Sequence, residues 1–223
     1  MIEDKIVLGV FLKNWQTLPV KTRLAKDLGR DSAKEVYCEM IKILHGTLQK
    51  YENASVLWCV AGGFAGLNSI LGNNSEFVEQ SEGDLGQRMG DFCNSQFVQG
   101  AQKVLIIGTD SLYLDGSDFD LAIKDLETKR LVFQPSPDGG YTLVGMNRNT
   151  PEIFHEMPWS QSHLMQATID RMQQFKFDYS LLEPRNDIDT LNDLREWYED
   201  HNKSEIKDIK VENLLKLCGK FCI

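Results

Sequence analysis

The sequence predicts an α/β fold, a three-layer α/β/α sandwich on a mostly parallel mixed sheet. Short β-branched runs alternate with helical patterns along most of the chain, and residues 103–108 (KVLIIG) are apolar almost throughout. Alternation of this kind favours parallel strands joined by crossover helices, and a continuous apolar run is typical of a strand buried on both faces. A Pro-Asp-Gly-Gly turn near residue 139 separates two further runs, which adds one antiparallel hairpin.

The remaining elements follow from the same patterns. Strands are predicted where short apolar or aromatic runs are bounded by turn residues, at 5–12, 55–60, 76–79, 103–108, 130–134, 141–145 and 178–183. Helices are predicted at about 32–50, 85–99, 117–127, 163–175 and 190–201. Side-chain caps mark several of their starts, namely Ser32 with Glu35, Asp84 with Gln87, Ser162, and Thr190 with Asp193.

The domain organisation predicted is one domain over residues 1–202 and an amphipathic helical tail over 203–223. The chain has 223 residues, enough for one sizeable core. The tail carries apolar residues at helical spacing among lysines, so it packs either on the domain or on a partner. A homodimer is one arrangement that would use it.

Composition limits the classes of partner. The formal net charge of −9 argues against a general nucleic-acid or anionic-membrane surface. It leaves room for one small anionic ligand, because a metal ion and a few cations can reverse the field in a pocket. The scattered cysteines, and the lack of a signal peptide or a membrane-length apolar stretch, lead us to expect a cytoplasmic protein without a membrane span.

Lys21, Thr22 and Arg23 come between the first strand and the helical residues that follow. Two cations and a hydroxyl at a strand-to-helix turn suit a phosphate chain, because the free backbone N–H groups of the turn point at the same oxygens. An exposed basic helix start explains the same residues without any ligand. From spacing alone, both interpretations stay open.

Aspartates follow two of the predicted strands. The segment Gly108-Thr109-Asp110 ends the buried strand, and Asp187 and Asp189 alternate after a later one, so that both could reach one cation. Asp110 is either a metal ligand or the acceptor of backbone N–H bonds in its loop. The four histidines lack metal-ligand spacing, so oxygen ligands, and hence Mg²⁺ or Mn²⁺, are the expectation.

Two further segments could line a substrate pocket. The run Asp138-Gly139-Gly140-Tyr141 reads first as a hairpin turn, although its glycines would also allow close approach of a ligand. Ser160 and Ser162 precede a helix, where Ser162 is the default N-cap and an acceptor-binding role is the alternative.

The order of these motifs carries a resemblance. It rests on six motifs in this order: KTRL, Gln80-x-x-Gly83-Asp84-Leu85-Gly86-x-Arg88, GTDS, PDGGY, WS-x-S and DIDT-x-x-DL. Through these motifs, residues 5–195 resemble a bacterial family of nucleotide-diphospho-sugar transferases with the glycosyltransferase-A (GT-A) fold. The chain is more distantly similar to the molybdenum-cofactor and 2-phospho-lactate guanylyltransferases.

The resemblance implies a role for each motif. Lys21 and Arg23 would contact phosphate, with Thr22, Gly108 and Thr109 beside them, and Asp110, Asp187 and Asp189 would hold the metal. Asp110 and Asp138 would be catalytic, and the substrate pocket would comprise Gly139, Gly140, Tyr141, Ser160 and Ser162. The expected ligands are a nucleotide or nucleotide-sugar and a small-molecule acceptor.

Three functions stay open at this point. The first is metal-dependent transfer of a glycosyl group from a nucleotide-activated sugar, and the second is nucleotidyl transfer with release of pyrophosphate. The third is a non-catalytic nucleotide-binding homologue. Its motivation is that Leu18 stands where the family usually has glycine and Leu112 where it has proline. Thr142 also departs from the family, which has an aromatic residue there.

Overall fold

A seven-stranded mixed sheet forms the centre of the molecule. In the computed structural model, which describes residues 5–202 and 209–221, the strands are β1 (Ile6–Lys13), β2 (Ser55–Ala61), β3 (Glu76–Glu79), β4 (Lys103–Gly108), β5 (Leu131–Pro135), β6 (Tyr141–Met146) and β7 (Tyr179–Leu181). Their order across the sheet is β3-β2-β1-β4-β6-β5-β7. Seven strands were predicted, and each is found within three residues of its expected bounds.

Strand direction matches the prediction of a mostly parallel sheet with one hairpin. β1 pairs in parallel with β2 on one side and β4 on the other, while β6 runs antiparallel to both β4 and β5. β4 is buried from Lys103 to Ile107, which confirms that its apolar run marks a central strand. The carboxyl ends of β1, β2 and β4 therefore meet at one edge of the sheet.

Helices cover both faces and complete the three layers. They are α1 (Ala25–Leu28), α2 (Arg30–Leu48), α3 (Asn68–Leu71), α4 (Leu85–Val98), α5 (Gly116–Asp125), α6 (Leu164–Gln174), α7 (Leu191–Asn202) and α8 (Ile209–Cys218), with a 3₁₀ turn at Pro151–Ile153. α2, α3 and α5 share one apolar core with the sheet. α4 and α6 share another with the opposite face. The predicted α/β fold is confirmed.

The helix starts show which capping predictions hold. Asp84 and Gln87 form a complete capping box at α4, and Asp193 accepts from the backbone of Thr190 at 2.7 Å at the start of α7. Two predictions were wrong. α2 begins two residues before Ser32, because Gly29 turns the chain directly from α1 into α2. α6 begins at Leu164 with His163 at its N-cap and no side-chain cap, so Ser162 does not cap it.

The tail packs on the domain. The apolar side of α8 joins a third core cluster with α1, α2 and α7, in which Leu214, Trp197 and Ile188 are fully or almost fully buried. Residues 203–208 and 222–223 of the predicted tail lie outside the described residues. Within the described part of the chain, no helix combines the length and hydropathy needed to cross a membrane.

Candidate functional site

Three of the sequence motifs meet at the carboxyl edge of the sheet. Lys21 follows β1, Asp110 follows β4, and the segment carrying Asp187 and Asp189 comes back over the same edge after β7. The Lys21 amine lies 2.6 Å from Asp110 and 3.2 Å from Asp189. The topology therefore brings together residues that are far apart in the sequence.

Lys21 is held by three acceptors of the protein itself. Its Nζ contacts Asp110 Oδ1 and Asp189 Oδ1 and donates to the backbone carbonyl of Ile188. Its side chain is only 2% exposed. The backbone of Lys21 has a φ of +47°, a left-handed conformation that a residue with a Cβ rarely adopts and that neighbouring contacts must maintain.

Arg23 supplies the second cation and is accessible. Its guanidinium is 52% exposed and lies 3.4 Å from Asp189 Oδ2. Burial by itself would raise the pKa of Asp189, but contacts with Lys21 and Asp110 and the charge of Arg23 outweigh it and lower that pKa. Asp189 is thus an ionised partner of both cations.

Asp187 has the opposite environment. Burial, and then the charges of Asp138, Asp189 and Asp110, raise its pKa to about 6. Four carboxylates are therefore close enough to interact electrostatically, while Lys21 directly contacts only Asp110 and Asp189 among them. The excess negative charge favours a further cation at this end of the site.

A cavity of about 530 Å³ opens beside these charges. From the predicted residues it is lined by Lys21, Thr22, Arg23, Gly108, Thr109, Asp110, Ser160 and Asp189. Its size is within the range of small-molecule sites. The phosphate-binding candidates thus line the same cavity as Asp110 and Asp189, two of the three metal-binding candidates, and as Ser160 from the predicted substrate pocket. Asp187 does not line it.

Tyr37 is a lining residue that the sequence analysis missed. The Thr109 hydroxyl donates to the Tyr37 hydroxyl at 3.1 Å, and Tyr37 in turn donates to the Lys13 carbonyl at 3.2 Å. Burial, followed by the charge of Asp110, raises the Tyr37 pKa, so the hydroxyl is neutral. Its place beside Val36 on an apolar helix face gave no sign of a polar role.

Gln80 and Arg88 also line the cavity. Gln80 donates to the carbonyl of Cys59 at 2.8 Å, and Arg88 donates to the carbonyl of Gly83 at 2.9 Å. Both belong to a motif that the sequence analysis quoted without assigning a role. The motif was therefore visible in the sequence, but its spacing gave no indication that it lies in the same cavity as Lys21, Thr22 and Arg23.

The other predicted pocket residues have mainly structural contacts. Asp138 accepts from the Ser136 hydroxyl and from the Gly140 backbone at 2.9 Å, which makes the hairpin turn. A Cβ on Gly139, whose φ is +91°, would lie 1.7 Å from the carbonyl oxygen of Ser162. The close approach that requires this glycine is therefore to protein backbone, and contact of Gly139 with a ligand stays a prediction.

Tyr141 also lies outside the wall of this cavity. Its ring packs edge-on against Phe133 at a centroid distance of 5.2 Å, and it belongs to the core on the α4 side of the sheet. Burial raises the pKa of its hydroxyl. The direct environment of Tyr141 is thus core rather than the Lys21 cavity. The turn residues Gly139 and Gly140 do not line this cavity either.

Residues 43–161, slightly more than half of the chain, match the family described as "Uncharacterized protein conserved in bacteria (DUF2064)". The chain belongs to this DUF2064 family. The match includes Asp110, Asp138 and Ser160, whereas Lys21 and Asp187 lie outside it. Among curated proteins, no sequence matches significantly.

Solved structures extend the comparison of this DUF2064 chain to its whole length. A Desulfovibrio desulfuricans protein described as a putative nucleotide-diphospho-sugar transferase superposes with a TM-score of 0.87 at 24% identity, covering 98% of each chain. A cytidylyltransferase from Leptospira borgpetersenii gives 0.58 at 14% identity, covering 99% of this chain and 95% of its own. A CMP:2-keto-3-deoxy-manno-octonic acid synthetase complexed with CTP gives 0.56 at 10% identity, covering 87% and 97%. These similarities establish the fold.

The two leucines that depart from the family pattern do not line this cavity of the DUF2064 chain. Leu18 lies against Gly62 at the end of β2, and Leu112 packs against the apolar core. Neither appears among the residues around Lys21 that form its wall. The two leucines were the reason for considering a non-catalytic homologue, and neither narrows this cavity. That reason is therefore weakened.

The chemistry of the donor set suits a divalent cation. Asp110, Asp187, Asp189 and the Ile188 carbonyl supply the hard oxygen ligands that Mg²⁺ and Mn²⁺ prefer. Within residues 5–202 and 209–221, however, no three acidic, histidine or cysteine side chains converge in a metal-binding arrangement. The Lys21 amine lies between Asp110 and Asp189 instead.

Proposed function

We propose that this DUF2064 protein is a metal-dependent transferase that binds a nucleotide-activated sugar and transfers its glycosyl group to a small-molecule acceptor. The observation that carries the proposal is the meeting of two cations, Lys21 and Arg23, with Asp110 and Asp189 at the carboxyl edge of the sheet, on the wall of a cavity of about 530 Å³. In open α/β sheets this edge is the usual ligand site.

The donor would place its diphosphate at the turn after β1. Arg23 is exposed and can pair with phosphate oxygens through two parallel N–H groups, while Thr22 offers a hydroxyl on the same wall. The nucleoside would extend toward Gln80 and Arg88, which line the same cavity. A structural neighbour solved with CTP supports the choice of a nucleotide.

The turn itself favours a diphosphate donor over a triphosphate. Residues 14–20 contain no glycine, and loops that wrap a triphosphate depend on glycines that let the backbone approach closely. Asn14 instead fastens this turn to the β2 loop, donating to the carbonyls of Gly63 at 2.8 Å and Ala65 at 3.1 Å. The shorter phosphate chain of a nucleotide sugar suits such a turn.

Asp110 and Asp189, together with the Ile188 carbonyl, would hold the Mg²⁺ or Mn²⁺ ion, and Asp187 would add negative charge close to them. When bound, the ion would neutralise charge that develops on the diphosphate leaving group. Arg23 would stabilise the same charge, because its guanidinium is exposed next to Asp189.

Asp138 would serve the acceptor. During transfer the acceptor oxygen bonds to the anomeric carbon, the bond from that carbon to the phosphate oxygen breaks, and the hydroxyl proton passes to a carboxylate. Asp138, whose charge reaches Asp187, would be the carboxylate that takes this proton. Asp187 lies beside the ion-binding aspartates, where a bound cation would lower its pKa.

Nucleotidyl transfer is the second candidate. The similarity of the fold to a cytidylyltransferase and to a CMP-sugar acid synthetase favours it, and it uses the same cations and carboxylates. It differs in the bond broken, because attack at the α-phosphate of a nucleoside triphosphate releases pyrophosphate.

Phosphorus NMR of the products separates the two reactions. A panel of nucleoside-diphosphate sugars, and separately of nucleoside triphosphates with sugar phosphates, is incubated with the protein and Mn²⁺. We expect release of a nucleoside diphosphate from the first panel. The variant Asp110→Asn, which keeps the side chain's size, should abolish release. Pyrophosphate from the second panel would select the nucleotidyltransferase instead, and absence of turnover in both would favour a non-catalytic role.

A further inference from the structure

The Lys21 ammonium uses all of its hydrogen-bonding capacity inside the protein. An ammonium group has three N–H donors, and Lys21 meets three acceptors, namely Asp110 Oδ1, Asp189 Oδ1 and the Ile188 carbonyl. With a side chain that is 2% exposed, Lys21 cannot contact a phosphate oxygen without giving up one of these partners. A role in phosphate binding therefore requires the lysine to move.

Movement of Lys21 would leave Asp110 and Asp189 without their shared cation. Arg23 could compensate Asp189 alone, because it lies 3.4 Å from that carboxylate and no ion pair joins it to Asp110. Asp187 adds negative charge within electrostatic reach of both, and Asp138 lies within electrostatic reach of Asp187. Partly buried carboxylates in this number are costly without a counter-ion.

We propose that Lys21 is an exchangeable counter-ion, which occupies the cation position between Asp110 and Asp189 in the ligand-free protein and leaves it for the donor phosphates when a divalent cation enters. This inference rests on the proposed function, because it takes the metal and the phosphate donor from it. It adds that lysine and metal are alternatives at one position.

The backbone of Lys21 fits such an exchange. Its φ of +47° is a strained conformation for a lysine, and strain of this kind persists only where contacts maintain it. The contacts on the ammonium are the ones that metal entry would break. Release of the side chain would therefore also allow the turn from Val20 to Thr22 to relax toward the cavity, which all three residues line.

The exchange couples the binding of the metal to the binding of the phosphate donor. Metal entry must displace Lys21, and phosphate offers the displaced ammonium a new partner, so each ligand strengthens the binding of the other by the same factor. Metal binding in the absence of nucleotide is weakened by competition with Lys21. Removing the lysine charge should abolish that competition.

The test uses Mn²⁺ alone, with free Mn²⁺ measured by electron paramagnetic resonance. Two neutral variants, Lys21→Met and Lys21→Gln, are compared with the parent and with Lys26→Met, which removes the same charge from an exposed position five residues away. We expect the two Lys21 variants to bind Mn²⁺ about tenfold or more tightly than the parent. Lys26→Met should stay within about twofold of the parent, because exposed charges are screened.

A measurement on the parent protein covers the case in which both Lys21 variants fail to fold. Lys21 should resist acylation in chelator, as a buried amine does, and should become labelled when Mg²⁺ is saturating, as read by peptide mass spectrometry. Equal Mn²⁺ affinity in parent and variants, or labelling of Lys21 that is independent of Mg²⁺, would overturn the exchange. Failure of glycosyl transfer in the product assay would leave both measurements intact, so the two proposals can fail separately.

Discussion

Ile188 donates its backbone N–H to the carbonyl of Asp110 at 3.1 Å. The bond joins the loop after β4 to the segment that carries Asp187 and Asp189. The side chain of Ile188 points the other way and is fully buried in the cluster that α7 and α8 share with α1 and α2. One residue thus connects the acidic site to a core formed partly by the C-terminal helix.

Shortening Ile188 should destabilise the protein measurably. Ile188→Ala leaves a cavity at a fully buried position, for which a loss of about 2–5 kcal/mol is typical, whereas Ile188→Val removes one methyl group and should cost about 1 kcal/mol. Urea unfolding monitored by circular dichroism gives both values. If Ile188→Ala were as stable as the parent, the packing described for this cluster would be wrong.

Gly139 and Gly63 form a matched pair for testing the hairpin. Both have positive φ, +91° and +76°, but an added Cβ would meet Ser162 backbone at 1.7 Å in the first and nothing within 4 Å in the second. Gly63→Ala should therefore cost about 1 kcal/mol, for backbone strain alone. Gly139→Ala should cost several-fold more, since backbone must also shift. Thermal unfolding of the two variants measures the difference, and similar losses would contradict the close contact.

The raised pKa of Asp187 predicts a pH dependence of stability without metal. Because its pKa is about 6 in the folded protein against an ordinary 3.8, the folded state holds this proton more tightly than the unfolded state does. Its contribution to stability is present below about pH 4 and is lost as the pH rises to about 6.

Asp187→Asn should remove this part of the pH dependence. In chelator, we expect the variant to gain stability relative to the parent as the pH rises from about 4 to about 7. Unfolding midpoints at several pH values give the difference curve. A flat difference between parent and variant would show that the Asp187 carboxylate is not crowded as described.

The sequence predicted the sheet well, because its strands are distinct in local pattern. β4 is the clearest case, because a run as apolar as KVLIIG is typical of a central strand buried on both faces. The capping box at Asp84 was also predictable, because cap and acceptor are three residues apart. At Ser32 the same pattern misled, because Gly29 lets one helix follow another without a side-chain cap.

Local sequence patterns could not predict contacts between residues that are far apart in the sequence. Asp118, with a side chain 3% exposed, pairs with Arg185 at 3.0 Å and accepts from Gln134 at 2.9 Å. This network fixes the chain just before Asp187, and yet each member reads as an ordinary helix, strand or loop residue. The partners of Lys21 were hidden in the same way, so its counter-ion role emerged only from the fold.

The affinity for a nucleoside diphosphate, measured by isothermal titration calorimetry with Mn²⁺ and with excess chelator, tests whether the protein binds a metal-bound nucleotide. Parent protein should bind the nucleotide tightly with Mn²⁺ and about tenfold or more weakly in chelator, and Lys21→Ala and Arg23→Ala should each lose about tenfold with Mn²⁺ while remaining folded. Equal affinity in chelator and Mn²⁺, or folded variants that bind as tightly as the parent, would contradict the placement of a metal-bound nucleotide at the turn after β1.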